Sequence, residues 1–342
     1  MPLPTSLASR LRLPLIAAPM LRVSGPDLMS AVCRSGVIGS FPTVNARSSE
    51  ELDAWLTRIA DDCARVDGPT APVCPNIIMR RDPTVLDSDI SVLVKHKVEL
   101  VLASVGSPAP VVQRLHDVGC LVLADVASIR HAEKALEAGA DGLVLLSAGA
   151  GGQTGWVNGM AFARAVRAMF DGPLVLAGGI PDGSALWAAR VLGCDLGMAG
   201  TPFIATSESM AVDRYKQMLV DSRLDDVMLT RAFTGLDTNM LRPSVVAAGL
   251  DPKALAGPVT PERARELFSE HSKEARGPKR WVDVWSAGHT VSGVGAVVPA
   301  AELVARLEKE YLAAQFASVD LLGEAAARRA ASRATTTTGV SA

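Results

Sequence analysis

Short apolar runs rich in Val, Ile and Leu recur along the chain, and each precedes a segment with the periodicity of an amphipathic helix. The runs are continuous rather than alternating, which is typical of strands buried on both faces of a parallel sheet. There are eight, at 15–19 (LIAAP), 37–41 (VIGSF), 73–78 (VCPNII), 98–104 (VELVLAS), 120–126 (CLVLADV), 142–148 (GLVLLSA), 173–179 (PLVLAGG) and 195–200 (DLGMAG).

Glycines end several of the predicted helices, at the position where a left-handed residue turns the chain into the next strand: Gly36, Gly119, Gly139 and Gly193. Eight consecutive βα units favour an α/β fold, a (β/α)8 TIM barrel, over the weaker alternative of a doubly wound open sheet. The barrel is preferred because no early βα turn carries the G-x-G-x-x-G fingerprint of a dinucleotide-binding fold.

The pattern changes after the eighth strand. Helical segments at 206–221, 240–249 and 260–273 surround the segment VMLTRAFTG, without further strand and helix alternation, and a final amphipathic helix is predicted at 299–315. Residues beyond it are small, polar and unpatterned, which is typical of a tail that does not fold. The predicted organisation is a barrel at 1–205 and 278–318, a small, mostly helical insertion domain at 206–277, and a flexible tail at 319–342.

Composition excludes several classes of protein. The chain has 342 residues, 49% of them hydrophobic, and a formal net charge of −2 with no basic stripe, so we expect no nucleic-acid partner. No run of 18 apolar residues predicts a membrane span. The cysteines are odd in number and far apart, which fits neither a disulfide framework nor a metal site, so we expect reduced thiols in the cytoplasm: Cys33, Cys63, Cys74, Cys120 and Cys194.

Chemistry in such a barrel gathers at the carboxyl ends of the strands. Gly178 and Gly179 follow the seventh predicted strand, Gly200 and Thr201 follow the eighth, and each pair leads into a helix. Adjacent glycine turns at helix N-termini predict a phosphate cradle. The alternative is that these glycines only make tight turns.

The loop SAGAGGQTGW, at 147–156, follows the sixth strand and is unusually rich in glycine. Gly149, Gly151, Gly152 and Gly155 would let a flat ring lie against the backbone, and the segment AAPM would present Pro19 and Met20 to that ring. A planar cofactor with a phosphate tail in a barrel mouth indicates flavin mononucleotide (FMN).

At these residues the sequence resembles the nitronate monooxygenases, formerly 2-nitropropane dioxygenases, which include FMN-dependent quinone and enoyl reductase relatives. The resemblance rests on the segments LIAAPM, ADVASIRHAEKALEAGADGLVLLSAGAGGQTGW, LAGGIPDG, GTPFIATSES and DVWSAGHTV. The residues that it implies as the FMN site are Ala18, Pro19, Met20 at the ring, Asn76 on a ring or ribityl oxygen, Ala150, Gly151, Gly152 and Gln153 beside the ring, and Gly178, Gly179, Gly200 and Thr201 on the phosphate. For Asn76 the alternative is an amide that caps its own strand end.

The chain departs from the family pattern at two residues that we take as catalytic candidates. The family usually has histidine after the paired glycines, as a base or an anion-binding group, and here that residue is Gln153. Glutamine cannot accept a proton at neutral pH, but its amide can donate to a nitro group or a flavin oxygen. In WSAGHTV, relatives often carry AGQ where this chain has His289. The two residue types therefore exchange places, unless His289 is a solvent-facing loop histidine.

Strand five brings a third departure. Relatives often have a lysine near the flavin at this strand end, and here it is Asp125. A carboxylate would oppose the negative charge of a reduced flavin, unless it faces a ribityl hydroxyl.

The resemblance implies oxidation of alkyl nitronates by FMN and O2 to a carbonyl compound and nitrite. The alternatives are an NAD(P)H-dependent reductase of a quinone or activated alkene, and, more distantly, a cofactor-free barrel lyase or isomerase that binds a sugar phosphate. We expect a small-molecule substrate, O2 and FMN as ligands, no metal ion, and a homodimer as the candidate assembly.

Overall fold

The computed structural model describes residues 3–255, 257, 259–268 and 277–337. Its strands, in chain order, are β1 (Leu15–Ala17), β2 (Ile38–Pro42), β3 (Val73–Ile78), β4 (Leu100–Ser104), β5 (Leu121–Val126), β6 (Gly142–Leu146), β7 (Gly152–Gln153), β8 (Leu174–Ala177), β9 (Leu196–Ala199), β10 (Val227–Thr230) and β11 (Thr238–Leu241). The α-helices are α1 (Thr5–Ala8), α2 (Pro26–Arg34), α3 (Ser49–Ala64), α4 (Pro83–Lys95), α5 (Ala109–His116), α6 (Ile129–Glu137), α7 (Gly159–Arg167), α8 (Gly183–Val191), α9 (Thr201–Ile204), α10 (Asp213–Val220), α11 (Arg242–Ala247), α12 (Pro261–Phe268) and α13 (Ala300–Thr337).

Eight parallel strands close into a barrel in the order β1, β2, β3, β4, β5, β6, β8 and β9. The closing pair brings β9 beside β1, with Leu15 opposite Gly197 and Ile16 opposite Met198. Each predicted apolar run overlaps one barrel strand, so the predicted TIM barrel is confirmed.

The barrel strands are buried on both faces, which explains their continuous apolar sequences. One hydrophobic cluster fills the barrel interior and includes Ile16, Leu100 and Val144. A larger cluster lies between the strands and the surrounding helices and includes Phe41 and Phe162. The predicted left-handed helix ends are also confirmed, because φ is positive at Gly36, Gly119, Gly139 and Gly193.

The small domain differs in one respect from the sequence expectation, which placed no strand after β9. The hairpin of β10 and β11 pairs in antiparallel register, and β7, from the loop after β6, adds a third strand to that sheet. The strand signal was weak because β10 is a short edge strand with one face exposed and its sheet needs a remote segment. Helices α10, α11 and α12 lie within the predicted helical segments, of which residues 269–273 lie outside the described residues.

The last helix packs against the barrel. Gly183 at the start of α8 donates its N–H to the Glu310 carboxylate of α13 at 3.0 Å, and the Trp187 indole donates to the Ser318 hydroxyl at 2.8 Å. Helix α13 continues to Thr337 rather than to the predicted end at 315, and residues 338–342 of the predicted tail lie outside the described residues. Within the described part of the chain, no helix has the length and apolar character needed to cross a membrane.

Candidate active site

A cavity of about 530 Å³ opens at the carboxyl ends of the barrel strands, and residues after β9, among them Tyr215, Thr234 and Arg265, contribute to its lining. It has the location expected for the active site of this fold. Every residue predicted to bind the cofactor lines it, namely Ala18, Pro19, Met20, Asn76, Asp125, Ala150, Gly151, Gly152, Gln153, Gly178, Gly179, Gly200 and Thr201.

The turns after β8 and β9 leave backbone donors without acceptors. Within the described part of the chain, the N–H groups of Gly178, Gly179, Gly200 and Thr201 donate no hydrogen bond. Gly179 has φ +76°, and a Cβ built on it meets no heavy atom within 4 Å, so it faces open space. These unpaired donors around open space fit an anion such as a phosphate group.

The Thr201 hydroxyl completes the cradle and is held in place. It accepts a hydrogen bond from the Gly288 N–H at 2.9 Å, which leaves its own hydrogen available for a ligand. Gly178 requires glycine for two reasons, because its φ is +101° and an added Cβ would lie 2.7 Å from the Ser147 hydroxyl oxygen.

The glycines of the loop after β6 serve the protein's own packing more than the predicted ring contact. A Cβ on Gly151 would lie 2.8 Å from the Gly288 nitrogen, and one on Gly155 would lie 2.0 Å from the Leu146 carbonyl oxygen. Gly155 does not line the cavity, so its predicted place beside the ring is wrong. Gly149, Gly151 and Gly152 do line it. Gly149 also leaves space for the His289 side chain, and Gly151 leaves space for the backbone of 287–288.

Gln153 is held by its backbone and has a free side chain. Strand β7 places it opposite Thr238 of β11, and the buried Asn239 amide donates to the Ala150 carbonyl at 2.7 Å. Gln153 is an exposed residue at the cavity lining, and its side-chain amide forms no hydrogen bond with any described residue. A ligand can therefore occupy both its donor and its acceptor groups.

His289 lies outside the cavity, so the predicted exchange of Gln153 and His289 across one site is not what the fold produces. Its side chain is exposed at the start of a 3-10 helix (His289–Gly293), and its N–H donates to the Gly149 carbonyl at 2.9 Å. The imidazole packs against Gly149, where an added Cβ would lie 2.8 Å from Nδ1. Gly288 and Thr290, which flank His289 in the chain, line the cavity, whereas the His289 imidazole faces solvent.

A polar cluster joins the ends of β3, β4 and β5. The Asn76 amide donates to the Leu102 carbonyl at 3.0 Å and to the Ser104 hydroxyl at 2.7 Å, so it bonds to the neighbouring strand rather than capping its own. Burial raises the pKa of Asp125 to about 6, against hydrogen bonds from the Ser104 hydroxyl and the Val105 N–H that favour the ionised form. Asp125 is therefore a carboxyl group whose pKa lies above its usual range.

Sequence reasoning missed the side chains that the small domain and the segment after it bring to the cavity. The Tyr215 ring stacks on Trp285 with centroids 5.0 Å apart, and its hydroxyl donates to the Ser286 carbonyl. Trp281 also lines the cavity. Three arginines, Arg80, Arg265 and Arg280, also line the cavity. Only Arg80 lies near the carboxyl end of a barrel strand. Arg265 and Arg280 do not, so a search of the residues that follow the strands could not identify them.

Comparison with known proteins places the chain in a family. The family model described as nitronate monooxygenase matches residues 72–310. This chain belongs to the nitronate monooxygenase family. A nitronate monooxygenase of Paraburkholderia phytofirmans is 27% identical over 87% of this chain and 92% of its own.

Solved structures agree on the fold. A nitroalkane oxidase from Streptomyces ansochromogenes superposes with a TM-score of 0.76 and 25% identity, over 92% of this chain and all of that chain. FabK from Thermotoga maritima superposes with a TM-score of 0.73 at 24% identity, over 94% of this chain and 99% of that chain, which is a likeness of fold. The protein is accordingly a flavin-dependent oxidoreductase on a TIM barrel. Among the described residues, no cluster of His, Cys, Asp or Glu side chains could hold a metal ion.

Proposed function

We propose that this protein binds FMN and oxidises alkyl nitronates with O2 to carbonyl compounds and nitrite. The observation that carries the proposal is one cavity with unpaired backbone donors on one side, at Gly178, Gly179, Gly200 and Thr201, and the free Gln153 amide on another. Bound FMN would accept electrons from the nitronate and deliver them to dioxygen.

The cradle fits the single phosphate of FMN. Four N–H groups and the Thr201 hydroxyl would surround the phosphate and donate charge-assisted hydrogen bonds to its oxygens. Ala18, Pro19 and Met20 would adjoin the ring, whereas Asn76 and Asp125 offer polar groups for its oxygens and nitrogens or for the ribityl chain.

Gln153 would hold the nitro group. A nitronate already carries its negative charge on the two oxygens, so an amide donor can orient it without removing a proton. This accounts for glutamine where the family usually has histidine. The described lining contains one carboxyl group, Asp125, and no histidine or lysine, which matches a substrate that arrives deprotonated.

Flavin identity and the cradle are tested together. The purified protein should be yellow and release FMN rather than FAD, and Gly179→Val should lose flavin, because its side chain would project into the phosphate space. Gly249→Val is the matched control: Gly249 has φ +79° and nothing within 4 Å, but it lies outside the cavity. Protein that stays colourless with added FMN, or equal flavin content in the two variants, would contradict the cradle.

The activity is tested by anaerobic mixing. Bleaching of the flavin absorbance by an alkyl nitronate, followed by its return with O2 and release of nitrite, is the expected result. Bleaching by NADH or NADPH but not by the nitronate would favour the second candidate, an NAD(P)H-dependent reductase of a quinone or activated alkene. The arginines that line the cavity support that second candidate, because they could bind the phosphates of a nicotinamide dinucleotide. A cofactor-free lyase or isomerase fits less well, because the described lining has no carboxyl pair and no lysine.

A further inference from the structure

Arg265 of the small domain and Arg280, which follows that domain in the chain, line the same cavity. Arg265 lies on α12, Arg280 lies beyond it in the chain, and both line the cavity. The Arg280 guanidinium donates to the Phe233 carbonyl at 2.8 Å, and burial, with the charge of Arg265 beside it, lowers the pKa of Arg280. Neither arginine forms an ion pair with a described residue.

Such a pair is unfavourable without an anion. Like charges repel, and the partial burial of Arg280 removes some of the water that would screen its charge, whereas Arg265 is exposed. The described residues of the lining include Arg80, Arg265 and Arg280 and a single carboxyl group, Asp125. The excess positive charge therefore points to an anionic ligand at this mouth.

The FMN phosphate does not account for this charge. Its proposed cradle belongs to the turns after β8 and β9, whereas Arg265 lies on α12 and Arg280 lies beyond α12 in the chain. Two guanidinium groups, each with a planar fork of donors, match the several oxygens of a phosphate or pyrophosphate. The stacked Tyr215 and Trp285, with Trp281, supply apolar surface to the same cavity.

We propose that Arg265 and Arg280 form a second anion site, which binds a phosphate or pyrophosphate group on a substrate or co-substrate larger than a simple alkyl nitronate. The inference rests on the proposed function in one respect, that FMN occupies the glycine cradle. The phosphate has two sources of the same chemistry, a nicotinamide dinucleotide or the phosphorylated carrier of an acyl substrate.

Binding to the FMN-loaded protein tests the site without turnover. NADP⁺ and coenzyme A are titrated while the absorbance of the bound flavin is followed, with nicotinamide riboside and pantetheine as phosphate-free counterparts. At least one phosphorylated probe should bind more tightly than its counterpart, and added KCl should weaken that binding. Binding of NADP⁺ identifies a nicotinamide co-substrate, and binding of coenzyme A identifies a phosphorylated carrier.

Variants locate the binding. Arg265→Gln should weaken the phosphorylated probe about tenfold or more, which is the value of a charged hydrogen bond. Arg263→Gln is the control, because Arg263 lies on the same helix, is exposed and pairs with Glu266. Arg280→Gln should act like Arg265→Gln, and Arg280→Lys, which keeps the charge and spares the fold, should retain part of the affinity.

Two results would overturn the site: no phosphorylated probe binding better than its counterpart, or Arg265→Gln binding as tightly as Arg263→Gln. The outcome is separable from the proposed function. A protein that binds a probe through Arg265 but oxidises no nitronate would contradict the proposed activity alone. A protein that oxidises nitronates but binds neither probe would contradict the anion site alone.

Discussion

Gln153 pairs with Thr238 in antiparallel register, so the amide proposed to hold the substrate stands on an edge strand of the small domain's sheet. The loop after β6 thus starts at a barrel strand and contains β7, which pairs with β11 of the three-stranded sheet. Positioning of the Gln153 side chain depends on the small domain as well as on the barrel.

Truncation of Gln153 should reduce catalysis without changing its pH dependence. Gln153→Ala removes a hydrogen bond to an anion, which corresponds to about 1.5–3 kcal/mol, or roughly 10- to 100-fold in kcat/KM for an alkyl nitronate. The pH profile should keep its shape because the amide does not titrate. The control is Gln217→Ala. Gln217 lies on α10, is exposed, and donates a hydrogen bond to the Asp221 carboxylate. Equal kcat/KM in the two variants would remove Gln153 from substrate binding.

Replacement of Gly288 should displace the loop after β6, which lines the proposed cofactor site. Its φ of −82° suits any residue, but an added Cβ would lie 2.8 Å from the Gly149 carbonyl oxygen and 3.0 Å from the Gly151 nitrogen. Gly288→Ala should therefore lower the free energy of unfolding by about 1–3 kcal/mol and reduce the flavin content. Gly295→Ala, where nothing lies within 4 Å, should change neither. A fully loaded and stable Gly288→Ala protein would argue against the close packing of these loops.

Asp125 should make stability depend on pH. Its pKa is raised to about 6 in the folded protein, so the folded state holds a proton that the unfolded chain releases near pH 4. Stability from this residue is present below about pH 4 and is lost as pH rises through about 6. Asp125→Asn should thus be more stable than wild type by a larger margin at about pH 8 than at about pH 4, measured by denaturant unfolding.

The control for Asp125 is Asp171→Asn, which changes an exposed carboxyl group away from the cavity. Its stability difference from wild type should not vary with pH in the same window. A margin for Asp125→Asn that is constant with pH would mean that Asp125 ionises in the native state as it does in the unfolded chain.

His289 should be dispensable for nitronate oxidation. The imidazole is exposed and outside the cavity, so His289→Ala should match the wild type in kcat/KM with a preformed nitronate between about pH 6 and pH 9. The informative comparison uses a neutral nitroalkane, which requires a base. A rate that rises through a pKa near neutrality in the wild type and is lost in His289→Ala would restore the predicted proton transfer.

The sequence by itself determined the barrel and which strand-end residues line its mouth. Continuous apolar runs predict parallel strands because both of their faces are buried, and parallel strands in a closed barrel present their carboxyl ends to one mouth. Gly178, Gly179 and Thr201 could therefore be placed from their order in the chain alone.

Only the tertiary structure decided which side chains the loops and the small domain bring to that mouth. His289 and Thr290 are neighbours in sequence, yet only Thr290 lines the cavity, because the direction of a side chain in a short 3-10 turn depends on its packing. Arg265, Arg280 and Trp285 line the cavity although none of them follows a barrel strand, and β7 pairs with β11 across more than eighty residues. Local periodicity carries no record of such distant pairings, because they form from contacts between segments whose own sequences are ordinary.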